Sequence, residues 1–444
     1  MLEDIIKERK KKLKNLIEAG LNPYPSKSER TISVADALKN FDKISRSKKR
    51  ISVAGRITNQ RDQGNLIFLD IKDESGKIQG VLKKDNLTNF KILKQTLDAG
   101  DFISITGSLF KTKSGEKSVE AKKAEIIAKT LLPLPTQWFG LKDVEERFRK
   151  RYLDIIFNPE IKEKFAKRSE IISYLREKLS EEGFSEVETP MLQPIPGGAK
   201  AKPFITHHNA LDTDFFLRIA PELYLKRLLV AGFEKVFEIG RNFRNEGVDR
   251  DHNPEFTMLE LYWAYQDWEG LMKFVEKLLK KFLGGKWETI SFSDAVKKYA
   301  KKSVKNIKAE DLDKIFKKEV LSKIIKPTFI TYYPKSISPL AKSCPDNPEL
   351  TERFQLIADG TEIVNGFSEL NDPVEQRKRM EEQEKMYRAG DVEASRLDED
   401  FLEALEYGMP PAAGLGIGID RLVALITKSH NLKEIIIFPT LKPK

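Results

Sequence analysis

Residues Val236–Tyr262, VFEIGRNFRNEGVDRDHNPEFTMLELY, read as a strand, a charged loop and a second strand. By alternation, Glu238, Gly240, Asn242 and Arg244 fall on one face of the first strand, with Phe237, Ile239 and Phe243 on the other. In the second strand Phe256, Met258, Glu260 and Tyr262 alternate against Thr257, Leu259 and Leu261. The stretch therefore predicts an antiparallel hairpin with arginine, carboxylates and a tyrosine on one side and core on the other. A solvated charged face above a core is the ordinary use of such a hairpin. Here the intervening loop adds Glu246, Arg250, His252 and Asn253, donors and acceptors suited to a polyphosphate.

A second patterned stretch is GLGIGIDRLVALIT, Gly414–Thr427, which puts Gly414, Gly416 and Gly418 on one face of a strand. Glycine weakens a strand, so three in register need a reason. A bare backbone face predicts a slot for a flat ring, with Arg421 beside it at the start of the following helix. A dinucleotide-binding glycine loop fails on spacing, because Ile419 stands where the last glycine belongs. Two more blocks are acidic: IAPELYLKR (219–227) carries Glu222, and EIVNGFSELND (362–372) carries Asn365, Phe367 and Glu369 on one face. Alternation puts Glu362 on the opposite face, so its participation requires a bulge or bend near Gly366. Read singly, each glutamate is most simply a structural salt bridge. Together they fit a ligand with cationic groups, each of which needs an anionic partner once water is excluded. Gly197-Gly198, within PGGAKAKPFITHHNALD (196–212), permits close backbone approach. His207-His208 lack a third ligand and face opposite ways along a strand, so they read as structural.

The 444-residue chain has room for two or three domains. With 78 Lys+Arg against 68 Asp+Glu, its net charge of +10 suits a polyanionic partner, although much of that charge must be ordinary surface. One cysteine, Cys344, excludes an intrachain disulfide or a cysteine zinc cluster and points to a reducing compartment. With no apolar signal core and no long apolar run, the expectation is a soluble, cytoplasmic protein without a membrane partner. Residues 3–19 predict a basic amphipathic helix with Ile5, Ile6, Leu13, Leu16 and Ile17 as its stripe. Its Lys7, Arg9, Lys10, Lys11, Lys12 and Lys14 suit either RNA phosphate or solvent. From Ile51 to Lys129, short β runs between turn signals have the density of a five-stranded OB-fold barrel. In it Phe68 lies on the polar face, poorly placed as core and well placed to stack on an unpaired base, with Gln79 on the next strand near a base edge. Leu131–Thr136, LLPLPT, reads as a stiff linker. A long helix over 159–183 and the strand FSEVETPML follow. The Lys-rich stretch 297–326 has a helical pattern and no functional reading. The expected division is 1–50 (basic helix and lead-in), 51–130 (barrel), 131–150 (linker) and 151–444 (catalytic domain).

The order FRNEG…R-H-N-P-E-F resembles motif 2 of the class II aminoacyl-tRNA synthetases, in the form found in lysyl-tRNA synthetases. Gly414–Thr427 resembles their motif 3, and the helix, strand and Pro190 resemble motif 1, a dimer interface. The resemblance spans nearly the whole chain and implies an α+β fold: an OB-fold anticodon-binding barrel plus a catalytic antiparallel sheet flanked by helices. It implies ATP-dependent attachment of L-lysine to tRNA(Lys) through a lysyl-adenylate, with AMP and diphosphate released, by a homodimer. It further implies that Arg244 bridges the substrate carboxylate and the α-phosphate and that Phe256 and Arg421 sandwich adenine. Glu246 would contact the adenine edge, and Arg250, His252 and Asn253 would line the outer phosphates. Glu222 and the Gly198 backbone would hold the α-amino group, Glu369 and Tyr262 the ε-ammonium, and Arg244 and Asn365 the carboxylate, with Glu260 and Phe367 lining the pocket. Phe68 and Gln79 would contact the anticodon. Two or three Mg2+ ions would accompany ATP, held chiefly by Glu362. Where the family usually has a second magnesium-binding glutamate, this chain has Gln355, which implies a weaker or rearranged metal site with activity retained. Aspartate or asparagine relatives would need a cationic side-chain pocket, which Glu369 opposes.

Overall fold

The structure, a computed structural model, describes residues 2–135 and 143–443, with the side chains of Ala309 and Glu310 excepted. It comprises two compact units, residues 1–140 and 141–444. Among the described residues, no helix is long and apolar enough to cross a membrane.

In the first unit, strands β1 (Ile51–Asp62), β2 (Leu66–Lys72), β3 (Lys77–Lys83), β4 (Phe102–Lys111) and β5 (Lys117–Ala128) close a barrel in the order β1-β2-β3-β5-β4. Alternation fills it: Ile67, Leu69 and Ile71 of β2 are buried, and Val53, Ile57, Ile103 and Ile105 meet them. The lead-in is part of this core, since Leu16, Val34, Ala37 and Phe41 pack into it. The N-terminal helix, Leu2–Glu18, departs from its expected stripe: Ile5 and Ile17 are exposed, whereas Arg9 is buried. Arg9 donates through Nη1 to Thr130 Oγ1 (2.6 Å) and through Nη2 to the Ala99 carbonyl (3.0 Å). Lys12 pairs with Asp98 at 2.7 Å. These two cations, expected to face RNA or solvent, instead tie the helix to the barrel. A buried guanidinium is tolerated because carbonyls and a hydroxyl satisfy its donors.

The second unit is built on an eight-stranded sheet ordered β12-β13-β16-β17-β18-β11-β10-β6. In chain order these are β6 (Ser185–Glu186), β10 (Lys235–Phe243), β11 (Glu255–Ala264), β12 (Glu288–Ser291), β13 (Thr328–Thr331), β16 (Arg353–Ala358), β17 (Thr361–Ser368) and β18 (Ala412–Gly418). A three-stranded sheet of β7 (Leu192–Gln193), β9 (Thr213–Leu217) and β8 (Phe204–His208) lies apart from it, as does the small hairpin of β14 (Ser343–Cys344) and β15 (Asn347–Thr351). The main sheet is antiparallel except at its ends, where β12 pairs with β13 and β6 with β10 in parallel. One face buries Phe237, Leu259, Leu261, Leu415 and Ile417 under the helices Pro159–Glu181 and Trp268–Leu283.

Residues 136–142 of the expected linker lie outside the described residues. The next stretch, also expected as linker, forms the helix Val144–Arg149, and Arg149 Nη2 donates to the Lys442 carbonyl at 2.6 Å. It therefore belongs with the second unit. The Lys-rich stretch is helical, as its pattern predicts, but in short turns. Together with Phe292–Ala295, its short helical turns form a separate core in which Val296, Leu312, Phe316, Val320 and Ile324 pack on Ile330 and Ile357 at the sheet edge. Its lysines coat that core.

Candidate active site

The hairpin forms in the register that alternation predicts: Val236 opposite Tyr262, Glu238 opposite Glu260, Gly240 opposite Met258 and Asn242 opposite Phe256. These pairs share the face opposite Phe237, Leu259 and Leu261, and at its Val236–Tyr262 end the helix Glu222–Val230 packs on it. Glu238, however, is committed to structure. Arg218 Nη1 reaches its Oε1 and Thr189 donates to its Oε2, with Arg218 and Glu238 both buried. Gly240 is needed here because a Cβ would come 2.1 Å from Arg218 Nη2.

The acidic residues expected to hold an amino acid do converge. Gly198 takes φ +84, and a Cβ there would meet the Glu222 and Ala220 side chains at 2.9 and 3.1 Å. Glu222 opens the helix Glu222–Val230. Glu369, just past β17, packs against Gly414, where a Cβ would lie 2.3 Å from Glu369 Oε1 and 2.4 Å from the Tyr262 ring. Tyr262 donates to Glu260 Oε2 at 3.3 Å. Glu222, Glu260 and Glu369 are all buried. Burial, reinforced by the Glu222 charge, pushes Glu260 up to about 8. Burial also pushes Glu369 up to about 8 although Lys226 draws it down. Tyr262 is raised well above its ordinary value by the same burial and by its acidic neighbours, so it remains a phenol and a donor.

Lys226 was not foreseen. It is fully buried, with Nζ 2.6 Å from Glu222 Oε1, 2.5 Å from Glu369 Oε2 and 5.5 Å from the centre of the Phe367 ring. In ELYLKRLLV it reads as one more surface charge. The signal was its spacing, four residues after Glu222 and three before Leu229, on the stripe that the helix buries.

Asn365 accepts from Arg353 Nε (2.9 Å) through Oδ1, which leaves its amide nitrogen as the group offered to the site. Glu362 joins the Asn365 face because β17 bulges. Leu356 pairs with Val364 but Ile357 pairs with Glu362, so Ile363 is the extra residue. The bulge lies there and not near Gly366, the expected position. Gln355 lies opposite Asn365, accepts from the Tyr333 hydroxyl (2.7 Å) and donates to Glu362 Oε2 (3.1 Å). Tyr333 is fixed by Phe292 and Phe316, with ring centroids 4.8 and 5.9 Å away, so the Lys-rich subdomain braces this edge of the site.

Past the end of the first hairpin strand, Arg244 lies over the Phe256 ring, Cζ to centroid 5.0 Å, and its Nε is buried without a hydrogen-bond partner among the described residues. Burial draws its pKa down and Arg421 adds to this, while Glu246, Glu260 and Glu362 oppose it. Arg421 donates to the Glu362 carbonyl at 3.4 Å. The glycine face is less open than expected: Gly414 receives Tyr262 and Glu369, and a Cβ on Gly416 would lie 2.7 Å from the Met258 methyl. Only at Gly418, beside the Arg421 stem, is a Cβ in ordinary contact. In the loop Glu246, Arg250 and His252 are exposed, with His252 Nδ1 3.0 Å from Asp249. Asn253 is buried, donating to the Glu255 carbonyl at 2.6 Å, and so shapes the loop end rather than its open face. Asp420, also unforeseen, accepts from Arg168 and from the Thr257 amide (3.0 Å), joining the helix Pro159–Glu181 to β11 and to the start of the last helix.

In the barrel unit, Phe68 is half-buried with Arg61 above its ring, Cζ 5.8 Å from the centroid. Gln79 is buried and accepts from Ser118 Oγ at 2.9 Å, so only its amide nitrogen is uncommitted among the described residues.

An antiparallel sheet that presents arginines, a glycine strand and buried glutamates on one face, joined in sequence to an OB barrel, defines a class II tRNA synthetase. Residues 143–442 match the family model described as tRNA synthetases class II (D, K and N), and residues 51–127 match that of the OB-fold nucleic acid binding domain. The chain is 46% identical to a lysine–tRNA ligase of Carboxydothermus hydrogenoformans, covering 100% of this chain and 99% of the relative. It is 47% identical to one of Clostridium perfringens (98% and 96%) and 45% identical to one of Pelotomaculum thermopropionicum (100% and 96%). The chain thus belongs to the class II tRNA synthetases, in the lysine–tRNA ligase family.

Proposed function

We propose that this protein activates L-lysine with ATP and transfers it to tRNA(Lys). The observation that carries the reading is the convergence of Glu222, Glu369 and Tyr262 in one buried cluster, whose Glu260 lies within the field of Arg244. The lysine carboxylate attacks the α-phosphorus, a bond forms to carboxylate oxygen, and diphosphate leaves. The nucleophile is already ionised, so catalysis is alignment and charge neutralisation. Arg244 supplies both by bridging the carboxylate and the α-phosphate, and Asn365 donates its amide to the carboxylate. Glu222 and the Gly198 backbone take the α-amino group, and Glu369 takes the ε-ammonium. Phe256, Arg421 and Glu246 receive adenine, and Arg250 and His252 meet the outer phosphates. The lysyl group then passes to the terminal ribose of the tRNA. ATP–diphosphate exchange across the twenty amino acids tests the assignment: a lysine-specific response supports it, and a response to aspartate or to none ends it.

Among the described residues no three His, Cys, Asp or Glu side chains cluster as a metal site. One carboxylate, Glu362, together with phosphate oxygens fits magnesium that arrives with ATP, where it would offset charge on the β- and γ-oxygens. Gln355 is engaged by Tyr333 and donates to Glu362, so it supports that carboxylate and adds no charge. Gln355→Glu is expected to lower the magnesium concentration needed for half-maximal adenylation, read by titration, with the maximal rate little changed. Superimposable curves would refute this.

Phe68 is proposed to stack on an anticodon base, with the Gln79 amide at its edge. Phe68→Ala is expected to raise the KM for tRNA about tenfold, since such stacking contributes ~1–3 kcal/mol per base, and to leave lysine-dependent exchange unaltered. We also propose homodimerisation: Met191, Leu192, Ile205 and Leu211 expose apolar side chains near the motif 1 segment. We assign the protein to the cytoplasm.

A further inference from the structure

We propose that Lys226 is a positioning and specificity residue of the amino-acid pocket, clamping Glu222 and Glu369 so that each carboxylate turns one oxygen to the incoming amino acid. The inference rests on the reading of that pocket as the lysine site. Its Nζ lies within 2.6 Å of one carboxylate and 2.5 Å of the other, which ties the start of one helix to the end of β17 through a single buried atom. Glu369 Oε1 is left buried, without a hydrogen-bond partner among the described residues, against the bare α-carbon of Gly414. An unpaired buried carboxylate oxygen is costly unless a ligand completes it. A bridge serving stability alone has little reason to be here, because well-packed apolar side chains stabilise such a site as well or better.

The groups facing Glu369 are Lys226 and Glu222 from the helix, with Tyr262 from β11; Glu260 lies beside Tyr262 and within the field of Glu222. Burial raises Glu260 and Glu369 to about 8, so these two carboxyls hold protons near neutrality. A protonated carboxyl does not receive an ammonium. Lysine binding must therefore expel a proton below that value, and its apparent KM rises as pH falls, by up to about tenfold per unit for one proton. Lys226 pulls Glu369 down, so removing its charge moves this dependence to higher pH.

The experiment measures the KM for lysine in ATP–diphosphate exchange from pH 6 to 9 for the unaltered protein, K226Q, K226M, K226R and E369Q. For the unaltered protein KM falls with rising pH. In K226Q, which keeps two donors without charge, the midpoint moves up by about one unit or more and KM at pH 7.5 rises about tenfold, with kcat changed less. K226R retains the original midpoint. A flat profile in the unaltered protein overturns the proposal even if no variant folds, and so does an unmoved midpoint in a folded K226Q or K226M. An E369Q variant with unaltered lysine KM would instead remove the underlying assignment of the pocket.

Discussion

Replacing Glu369 by glutamine is expected to reduce kcat/KM for lysine in ATP–diphosphate exchange by ~10³-fold or more, mostly through KM. Sites built around a buried polar partner discriminate on that scale, because a mismatched ligand leaves the partner unpaired. The amide is nearly the same size and still accepts a hydrogen bond, so packing against Gly414 and Tyr262 is retained and only the charge is lost. Lys226 then keeps Glu222 alone as its anionic partner, and its ammonium opposes the entry of a second one. The same variant is expected to narrow the gap between lysine and uncharged analogues of similar length. A loss confined to kcat, with the lysine KM intact, would show that Glu369 does not meet the side-chain ammonium.

Arg244→Ala is expected to slow adenylate formation by about 10³-fold, the order observed when a donor aimed at developing transition-state charge is removed. Its environment supports this. Arg244 Nε has no hydrogen-bond partner among the described residues, and the nearby carboxylates oppose the effect of burial on the group. Single-turnover measurements would separate the steps: transfer from preformed adenylate to tRNA should suffer much less than adenylation. Equal losses in both steps would mean that Arg244 organises the loop and does not touch the reacting phosphate. Phe256, beneath its guanidinium, provides the control, since Phe256→Leu should raise the KM for ATP with a smaller effect on the maximal rate.

The hairpin was legible because Phe237, Ile239, Leu259 and Leu261 recur with a period of two, and the register sets Phe237 opposite Leu261 and Ile239 opposite Leu259 on one face. The barrel was legible for the same reason. What escaped were charges that the fold turns inward. Arg9 and Lys226 both sit on the buried stripe of their helices, yet composition classes them with the surface, and Thr130 and Ala99, which hold Arg9, and Glu369, which holds Lys226 together with the nearby Glu222, lie far away in sequence. The glycine strand was half read. Its bare face is required, but at Gly414 and Gly416 the space is filled by Tyr262, Glu369 and Met258 from neighbouring strands, which alternation within one strand cannot reveal. Asn253 was read as a free polar group because a loop sequence does not disclose which amides the backbone will claim.

The extra residue at Ile363 has a consequence for how this enzyme can diverge. Glu362 precedes it, at the end we propose for the triphosphate, while Asn365, Phe367 and the neighbouring Glu369 follow it, at the end we propose for the amino acid. Loss of Ile363 would restore strict alternation and keep Glu362 opposite Ile357, on the face it already shares with Asn365, with the residues from 364 onward in place. A one-codon deletion would thus straighten the strand without turning over any side chain of that face. This strand can therefore lose one position as sequences drift with both halves of its face intact.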